Sequence, residues 1–354
     1  MSWPDKRLID LFGVALPIVQ APMANSSGVE MAVAVAEAGG LGSLPCAGLS
    51  DDKVREGIAA IRSRTTRPIN LNFFCHDAPE QDLAREAAWL ERLAPYYQEL
   101  GIELPRPPLK ASIYRFTEST CAVVEELCPE VVSFHFGLPA PELVQRVKRA
   151  GCKVICSATT RREALWLAAR GVDAIIAQGA EAGGHRGMFL ETDVATQIGT
   201  FALVQQIVGA VSQPVLAAGG IGDGGGIAAA FALGAAGVQI GTAYLDCPEA
   251  TGSNLHRKAL AEPGRKTVIT DVLSGRPARG ILNRFIREQG PLDPAHPAYP
   301  FATPALAPLR AKAEAQGSGD FSWFWSGQGA PPLTGVSAKD LTRTIVKEAL
   351  ARFA

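Results

Sequence analysis

The sequence predicts an α/β protein built as a (β/α)8 TIM barrel with a helical insertion and an irregular C-terminal cap. Short apolar runs alternate with Ala-rich amphipathic stretches, the pattern of βα units laid along a parallel sheet. Eight such units fit between about Ile18 and Leu245, close to the roughly 250 residues that this barrel takes. A doubly wound open sheet is the architectural alternative.

In chain order, the apolar runs predict strands beginning at Ile18 (IVQAPM), Leu41 (LGSLPC), Ile69 (INLNFF) and Val131 (VVSFHFG). They continue at Lys153 (KVICSAT), Ala174 (AIIAQG), Val215 (VLAAGG) and Val238 (VQIGTAYL). The amphipathic stretches between them predict helices over Val29–Ala38, Asp52–Arg64, Pro141–Ala150, Arg161–Arg170, Phe201–Val211 and Gly226–Leu233. Two stretches break the repeat. One holds a helical segment, Glu80–Leu100, followed by Pro105-Arg106-Pro107-Pro108. The other, after Asp246, is irregular and rich in Pro, Gly and aromatics. This divides the chain into a barrel (1–74 and 131–247, closed by a helix over 338–354), an insertion (75–130) and a cap (248–337). Both additions are expected over the C-terminal end of the strands, where such barrels carry their sites.

Composition narrows the function classes. Lys+Arg (34) and Asp+Glu (35) balance to a formal charge of −1, which leaves no basic face for nucleic acid and no polybasic membrane anchor. No apolar stretch is long enough to span a bilayer, and the N-terminus lacks a signal-peptide core. A soluble cytoplasmic protein is expected. The seven cysteines are scattered without paired metal-ligand spacing, so they read as buried free thiols and no metal is expected. Cys75-His76 follows a strand without a third ligand nearby in sequence.

The ends of the predicted strands carry the chemistry. Ala21-Pro22-Met23 ends the first, Asn72 falls in the third, His135 ends the fourth and Gln178 the sixth. The seventh and eighth end in Gly219-Gly220 and Gln239-Ile240-Gly241-Thr242. Glycines after the last two strands, leading towards helix N-termini, suit a phosphate held by backbone amides. Tight-turn chemistry is the other reading of those glycines. Asn72 and Gln178 offer both donor and acceptor, which suits the polar edge of a flavin ring; satisfying loop backbone is the alternative. The segment Gly179-Ala180-Glu181-Ala182-Gly183-Gly184-His185-Arg186-Gly187 sets one imidazole among glycines. A histidine there is expected to titrate near neutral pH and act as a general base.

Taken together, these motifs resemble those of the nitronate monooxygenase (2-nitropropane dioxygenase) family. They are Gln20-Ala21-Pro22-Met23, Ala38-Gly39-Gly40-Leu41-Gly42, Gly179–Gly187, Ala217-Ala218-Gly219-Gly220-Ile221, Gln239–Thr242 and Ser274-Gly275-Arg276-Pro277-Ala278-Arg279-Gly280. The resemblance implies FMN on a TIM barrel, held by Ala21, Pro22, Met23, Asn72, Gln178, Gly183, Gly184, Gly219, Gly220 and Gln239–Thr242, with His185 as catalytic base. It implies oxidation of alkyl nitronates by O2 to carbonyl compounds and nitrite. For a neutral nitroalkane His185 takes the α-proton; for a nitronate it positions the nitro group. A flavin-dependent NAD(P)H reductase acting on an enoyl thioester or quinone, and a non-catalytic FMN-binding module, are the rival readings. A homodimer is left open.

The chain departs from the family pattern at Ala24-Asn25-Ser26-Ser27-Gly28 and at Gly225, where relatives commonly carry an Arg. Among the remaining candidates, His135 is expected at the pocket or in the core, and His76 is a weaker pocket candidate. His256 and His296 are expected at the surface. Trp323, Trp325, Tyr299 and Phe301 are expected to pack the cap, with one of them walling an apolar pocket as the alternative; Arg276 and Arg279 are expected near the site mouth, solvated by default or else attracting an anionic substrate. Gly327-Gln328 resembles a family segment that approaches the phosphate.

Overall fold

The structure is a computed structural model that describes residues 2–329 and 334–353. Met1, residues 330–333 and Ala354, at the ends of the predicted barrel and closing helix and within the predicted cap, lie outside the described residues. Among the described residues the strands in chain order are β1 (Ile18–Gln20), β2 (Gly42–Pro45), β3 (Ile69–Phe74), β4 (Val131–His135), β5 (Lys153–Ala158), β6 (Ala174–Gln178), β7 (Gly184–His185), β8 (Val215–Ala218), β9 (Gly237–Ile240), β10 (Thr267–Thr270) and β11 (Ala278–Ile281).

Eight of them form one parallel sheet in the order β1-β9-β8-β6-β5-β4-β3-β2. A parallel bridge between Val19 and Leu41 joins its two edges, so the sheet is closed. All eight predicted strands are present. The run that begins at Val238 stops sooner than its apolar pattern suggests, because Thr242–Asp246 winds into a 3-10 helix. Nearly every residue of the barrel strands is buried, as expected for strands covered on both faces. Val19, Leu41, Val131, Ile155, Ile176 and Leu216 fill the barrel interior, and the helix Arg7–Phe12 packs Leu8 and Phe12 into the same cluster. Gly42 has no freedom to be larger, since a Cβ there would strike the backbone of Ala32 in the neighbouring helix.

The predicted helices are found within three residues of their expected ends, and Val29–Ala38 matches at both. The closing helix, Ala338–Arg352, packs against Val29–Ala38 and Gly224–Ala232, and Ser337 caps it by accepting from the Asp340 amide at 3.1 Å. Within the stretch 75–130, the helix Leu83–Glu99 packs on the cap helix Ala302–Ala315 around Trp89, Leu93, Tyr97, Leu306 and Leu309. The helix Glu118–Leu127 instead packs between Asp51–Arg62 and Pro141–Arg149, in the outer helical layer of the barrel.

A second, antiparallel sheet orders β10-β11-β7. Its outer strand, β7, is two residues long and comes from the loop after β6, so the cap is stitched directly to that loop. Among the described residues no helix is long and apolar enough to cross a membrane. Five of the seven free cysteines are buried, as expected; Cys75 is half-buried, and Cys128, which ends the helix Glu118–Leu127 in a left-handed conformation at φ 43°, is exposed.

Candidate active site

A cavity of about 1230 Å3 lies at the C-terminal ends of the barrel strands, under the cap. It gathers Ala21, Pro22, Met23, Asn72, Gln178, Gly183, Gly184, Gly219, Gly220, Gln239, Gly241 and Thr242 with His135 and His185. Two predicted site residues are not on its wall. Ile240 is fully buried in β9, where its carbonyl accepts from the Ala21 amide at 2.8 Å. His76 is buried behind Tyr299, their ring centroids 5.0 Å apart.

One part of the cavity is a cradle of backbone donors. Gly219 (φ 117°) and Gly220 (φ 73°) turn the chain away from β8 in a conformation that favours glycine. The amides of Gly219, Gly220 and Gly241 have no protein acceptor among the described residues. Thr242 Oγ1 accepts from the Gly327 amide at 2.8 Å, which brings the Gly327-Gln328 segment to the cradle. Gln239 Oε1 is buried and has no partner among the described residues. Such a patch is built to receive a group from outside the chain, because a buried acceptor left alone costs about 1–3 kcal/mol.

Across the cavity, the loop after β6 is held by arginines. Arg186 is fully buried and donates to the carbonyls of Gln178 (2.6 Å) and Gly179 (2.7 Å) and to Gln197 Oε1 (2.9 Å). Arg279 donates to the carbonyl of Ala180 at 2.7 Å. Arg276 donates to that of Met188 and lies 3.9 Å from the Phe136 ring centroid. Sequence reasoning places Arg276 and Arg279 in solvent. Instead, a Gly-rich loop leaves carbonyls without helix or sheet partners, and guanidinium groups meet them. None of the three arginines forms an ion pair among the described residues, but Glu181 lies near enough to offset Arg186 and Arg279 in part, and Glu163 to offset Arg186 and Arg276.

Gln178 adds two bonds to the same loop: its Nε2 donates to the His185 carbonyl (3.0 Å) and its Oε1 accepts from the Gly187 amide (2.7 Å). The side-chain amide of Asn72 donates to Ser133 Oγ at 2.9 Å. Both residues line the cavity while serving the protein's own backbone and hydroxyls, so the two readings of them hold together.

The tautomers of the two histidines follow from their partners. His135 Nε2 sits 3.1 Å from the His185 carbonyl, which can only accept, so Nε2 carries the proton and Nδ1 accepts from the Ser157 hydroxyl at 2.6 Å. Ser274 donates its hydroxyl proton to the Arg276 carbonyl at 3.1 Å, so its oxygen is an acceptor for His185 Nε2 at 3.0 Å. That leaves His185 Nδ1 as the basic atom, with no partner among the described residues. Trp325 and Tyr299 flank the ring at 5.3 Å and 5.4 Å.

Contrary to the expectation of near-neutral titration at His185, its imidazole is held neutral, and so is that of His135. Burial pushes the His185 pKa down to about 3, and the charges of His135, Arg276 and His76 add to it. His135 is likewise driven to about 3, first by burial and then by Arg276 and Arg186, against the bond to the His185 carbonyl. The sequence carries no local signal for this, because the burial responsible is created only by tertiary folding. Three aromatics expected to pack the cap, Tyr299, Trp323 and Trp325, are in fact on the cavity wall, while Phe301 is buried in the cap. His256 and His296, expected at the surface, are buried: His256 stacks on Phe324, and His296 Nε2 meets the Asp271 carboxylate at 3.2 Å.

Comparison with known proteins agrees with this architecture. The model of the family described as "Nitronate monooxygenase" matches residues 5–348. The nitronate monooxygenase of Pseudomonas aeruginosa is 43% identical over 97% of this chain and 98% of its own. That of Paraburkholderia phytofirmans is 42% identical, covering 97% and 94%. Among solved structures, the nitroalkane oxidase of Streptomyces ansochromogenes superposes with a TM-score of 0.88 at 38% identity, over 98% of each chain. FabK from Thermotoga maritima follows with a TM-score of 0.74 at 27% identity, over 99% and 98%. The chain therefore belongs to the nitronate monooxygenase family, in which flavin dependence is general.

Proposed function

We propose that the cavity binds FMN and that the protein oxidises alkyl nitronates with O2 to carbonyl compounds and nitrite. The observation that carries this reading is one cavity that sets His185 beside Asn72 and Gln178 and across from the amides of Gly219, Gly220 and Gly241, which have no partner among the described residues. Such amides favour an anionic group as ligand. The neutral His185 disfavours proton abstraction from a neutral nitroalkane, because a base with a pKa of about 3 holds a proton too weakly at neutral pH. A nitronate arrives already deprotonated. The His185 ring, fixed by Ser274, then packs beside the reacting carbon, its unprotonated Nδ1 making no hydrogen bond to the nitronate oxygens.

The residues present fit the cofactor. The unpartnered amides of Gly219, Gly220 and Gly241 suit its phosphate, and Gln239 Oε1 and the side-chain amides of Asn72 and Gln178 suit the polar edge of its ring. Met23, Ala21 and Pro22 border the same space. Bound there, the flavin supplies the electron transfer between nitronate and O2.

The test is nitrite release from ethane nitronate and from neutral nitroethane, aerobically, with and without NADH. Purified protein is expected to carry flavin, release nitrite from the nitronate without NADH, and turn over the neutral compound far more slowly. His185→Asn is expected to lower nitronate turnover by about tenfold or more. Protein that binds no flavin, or a flavin bleached anaerobically by NADH but not by nitronate, refutes the assignment. Turnover of nitronate and nitroalkane left equally intact in His185→Asn refutes the role given to the histidine.

A further inference from the structure

The cavity is larger than its reacting end requires. At about 1230 Å3 it has room for the flavin proposed above and for a second small molecule beside it, since a single-ligand site takes roughly 300–1,000 Å3. Its floor, made by strand ends, carries the amides, Asn72, Gln178 and the two neutral histidines. The roof, made by the cap, is different in kind. Tyr299, Thr303, Pro304, Trp323 and Trp325 stand there, and among the described residues the cap contributes no Lys, Arg, Asp or Glu to the wall.

The helix Ala302–Ala315 supplies much of that roof. Thr303, Pro304, Ala307 and Pro308 follow a spacing of three and four residues, so one helical face looks into the cavity. Ala307 and Pro308 are exposed, so this wall runs out to the open mouth. The same cavity is bordered by Leu49 and Tyr114, which leave 38% and 45% of their surfaces in water. Apolar side chains on that border offer a hydrocarbon chain surface from which to exclude water. Lys53, Glu56 and Lys110 are the charged residues of the wall. They come from the helix Asp51–Arg62 and the segment 110–114 rather than the cap, and Lys53 is paired with Glu56 at 2.5 Å.

Accepting the nitronate reading above, we propose that the cap roof is a hydrocarbon subsite. The preferred substrates are then nitronates whose alkyl chain extends well beyond the reacting carbon, and Ala307 sets the length accepted. The nitronate head lies by His185. The chain runs under Trp323 and Pro304 towards Ala307, where each methylene removed from water raises kcat/KM by about fourfold. A distal carboxylate gains nothing on this roof, since no cation meets it there.

The test is kcat/KM by nitrite release across straight-chain nitronates from ethane to octane, with a carboxylate-ended nitronate of middle length alongside. The wild type is expected to rise about threefold to fourfold per methylene before levelling off, and to disfavour the carboxylate. Ala307→Phe, at an exposed helix position and checked for flavin content, is expected to lower the octane-to-ethane ratio at least tenfold. Thr303→Phe, one turn earlier, is expected to bring the cut-off to a shorter chain. A flat series in the wild type overturns the proposal, as does an unchanged slope in both variants. So does an altered association state in Ala307→Phe with the slope intact, because the apolar mouth is then an interface between copies. Absence of nitrite from every nitronate is a separate outcome, and it overturns the enzymatic reading on which the subsite rests.

Discussion

Acid should weaken this fold by a definable amount through His76. The ring is 5% exposed, packs edge-on against Phe136 and Tyr299, and has no partner for either nitrogen among the described residues. Burial lowers its pKa to about 4, with Arg276 and Arg115 adding to the effect and Asp77 opposing it. In the unfolded chain the same ring titrates near 6.5. Between those values the unfolded state takes up a proton that the folded state refuses. The stability is therefore fully present above about pH 6.5 and is lost as pH falls towards 4. The slope is ~1.4 kcal/mol per pH unit, so His76 alone removes about 2 kcal/mol by pH 5. His76→Phe keeps the edge-on contacts and cannot take the proton. Urea unfolding of wild type and variant at pH 7.5, 6.0 and 5.0 checks this. Their stability difference should move by about 2 kcal/mol in favour of the variant across that range. Parallel pH profiles would show that the folded state admits a proton at His76, and the argument from burial would fail.

Other expectations concern the site and the loop that forms it. Ser274→Ala removes the acceptor for His185 Nε2–H, and is expected to lower kcat/KM about tenfold and to alter its pH profile, while flavin content is unchanged; a superimposable profile would show that the ring is fixed by other contacts. A Cβ on Gly183 would strike the backbone of Ser326 and Gly327, so Gly183→Ala should displace the segment that meets Thr242 and weaken flavin retention on dialysis. Retention equal to wild type would refute the link between that segment and the cradle. Glu163 is fully buried and accepts from the amides of Thr159, Phe189 and Leu190 and from the Thr159 hydroxyl at 2.7–3.1 Å. Glu163→Gln turns one acceptor into a donor facing donors, and urea unfolding should record a loss of about 2–4 kcal/mol.

The barrel was legible because its strands are buried on both faces. Runs such as AIIAQG and KVICSAT need no partner to be recognised, and their polar ends mark the floor of the cavity. Legibility ends where an element exists only through tertiary pairing. β7 is the dipeptide Gly184-His185, and nothing in its own composition distinguishes it from a loop until β11 lies beside it. β10 and β11 are four residues each within a Pro- and Gly-rich region. The aromatic residues of the cap show the same limit. Tyr299, Trp323 and Trp325 read as packing because large apolar side chains usually are, and only the folded roof separates them from Phe301. Arg276 and Arg279 read as solvated because their partners are carbonyls, which any residue supplies and no motif announces.

The pairing of β7 with β11 has a further consequence. The histidine is encoded in a barrel loop, yet its backbone is carried by the cap's sheet, and its ring is held by a serine from the same region. The chemistry and the selectivity of this protein thus share one mechanical frame. Because His135 and Gln178 of the barrel grip the same residue's carbonyl, a shift of the cap against the barrel would pull the imidazole between its two holders. Exchanging the cap with that of a relative would therefore retune the aim of the histidine along with the choice of substrate, and neither could be altered alone by grafting.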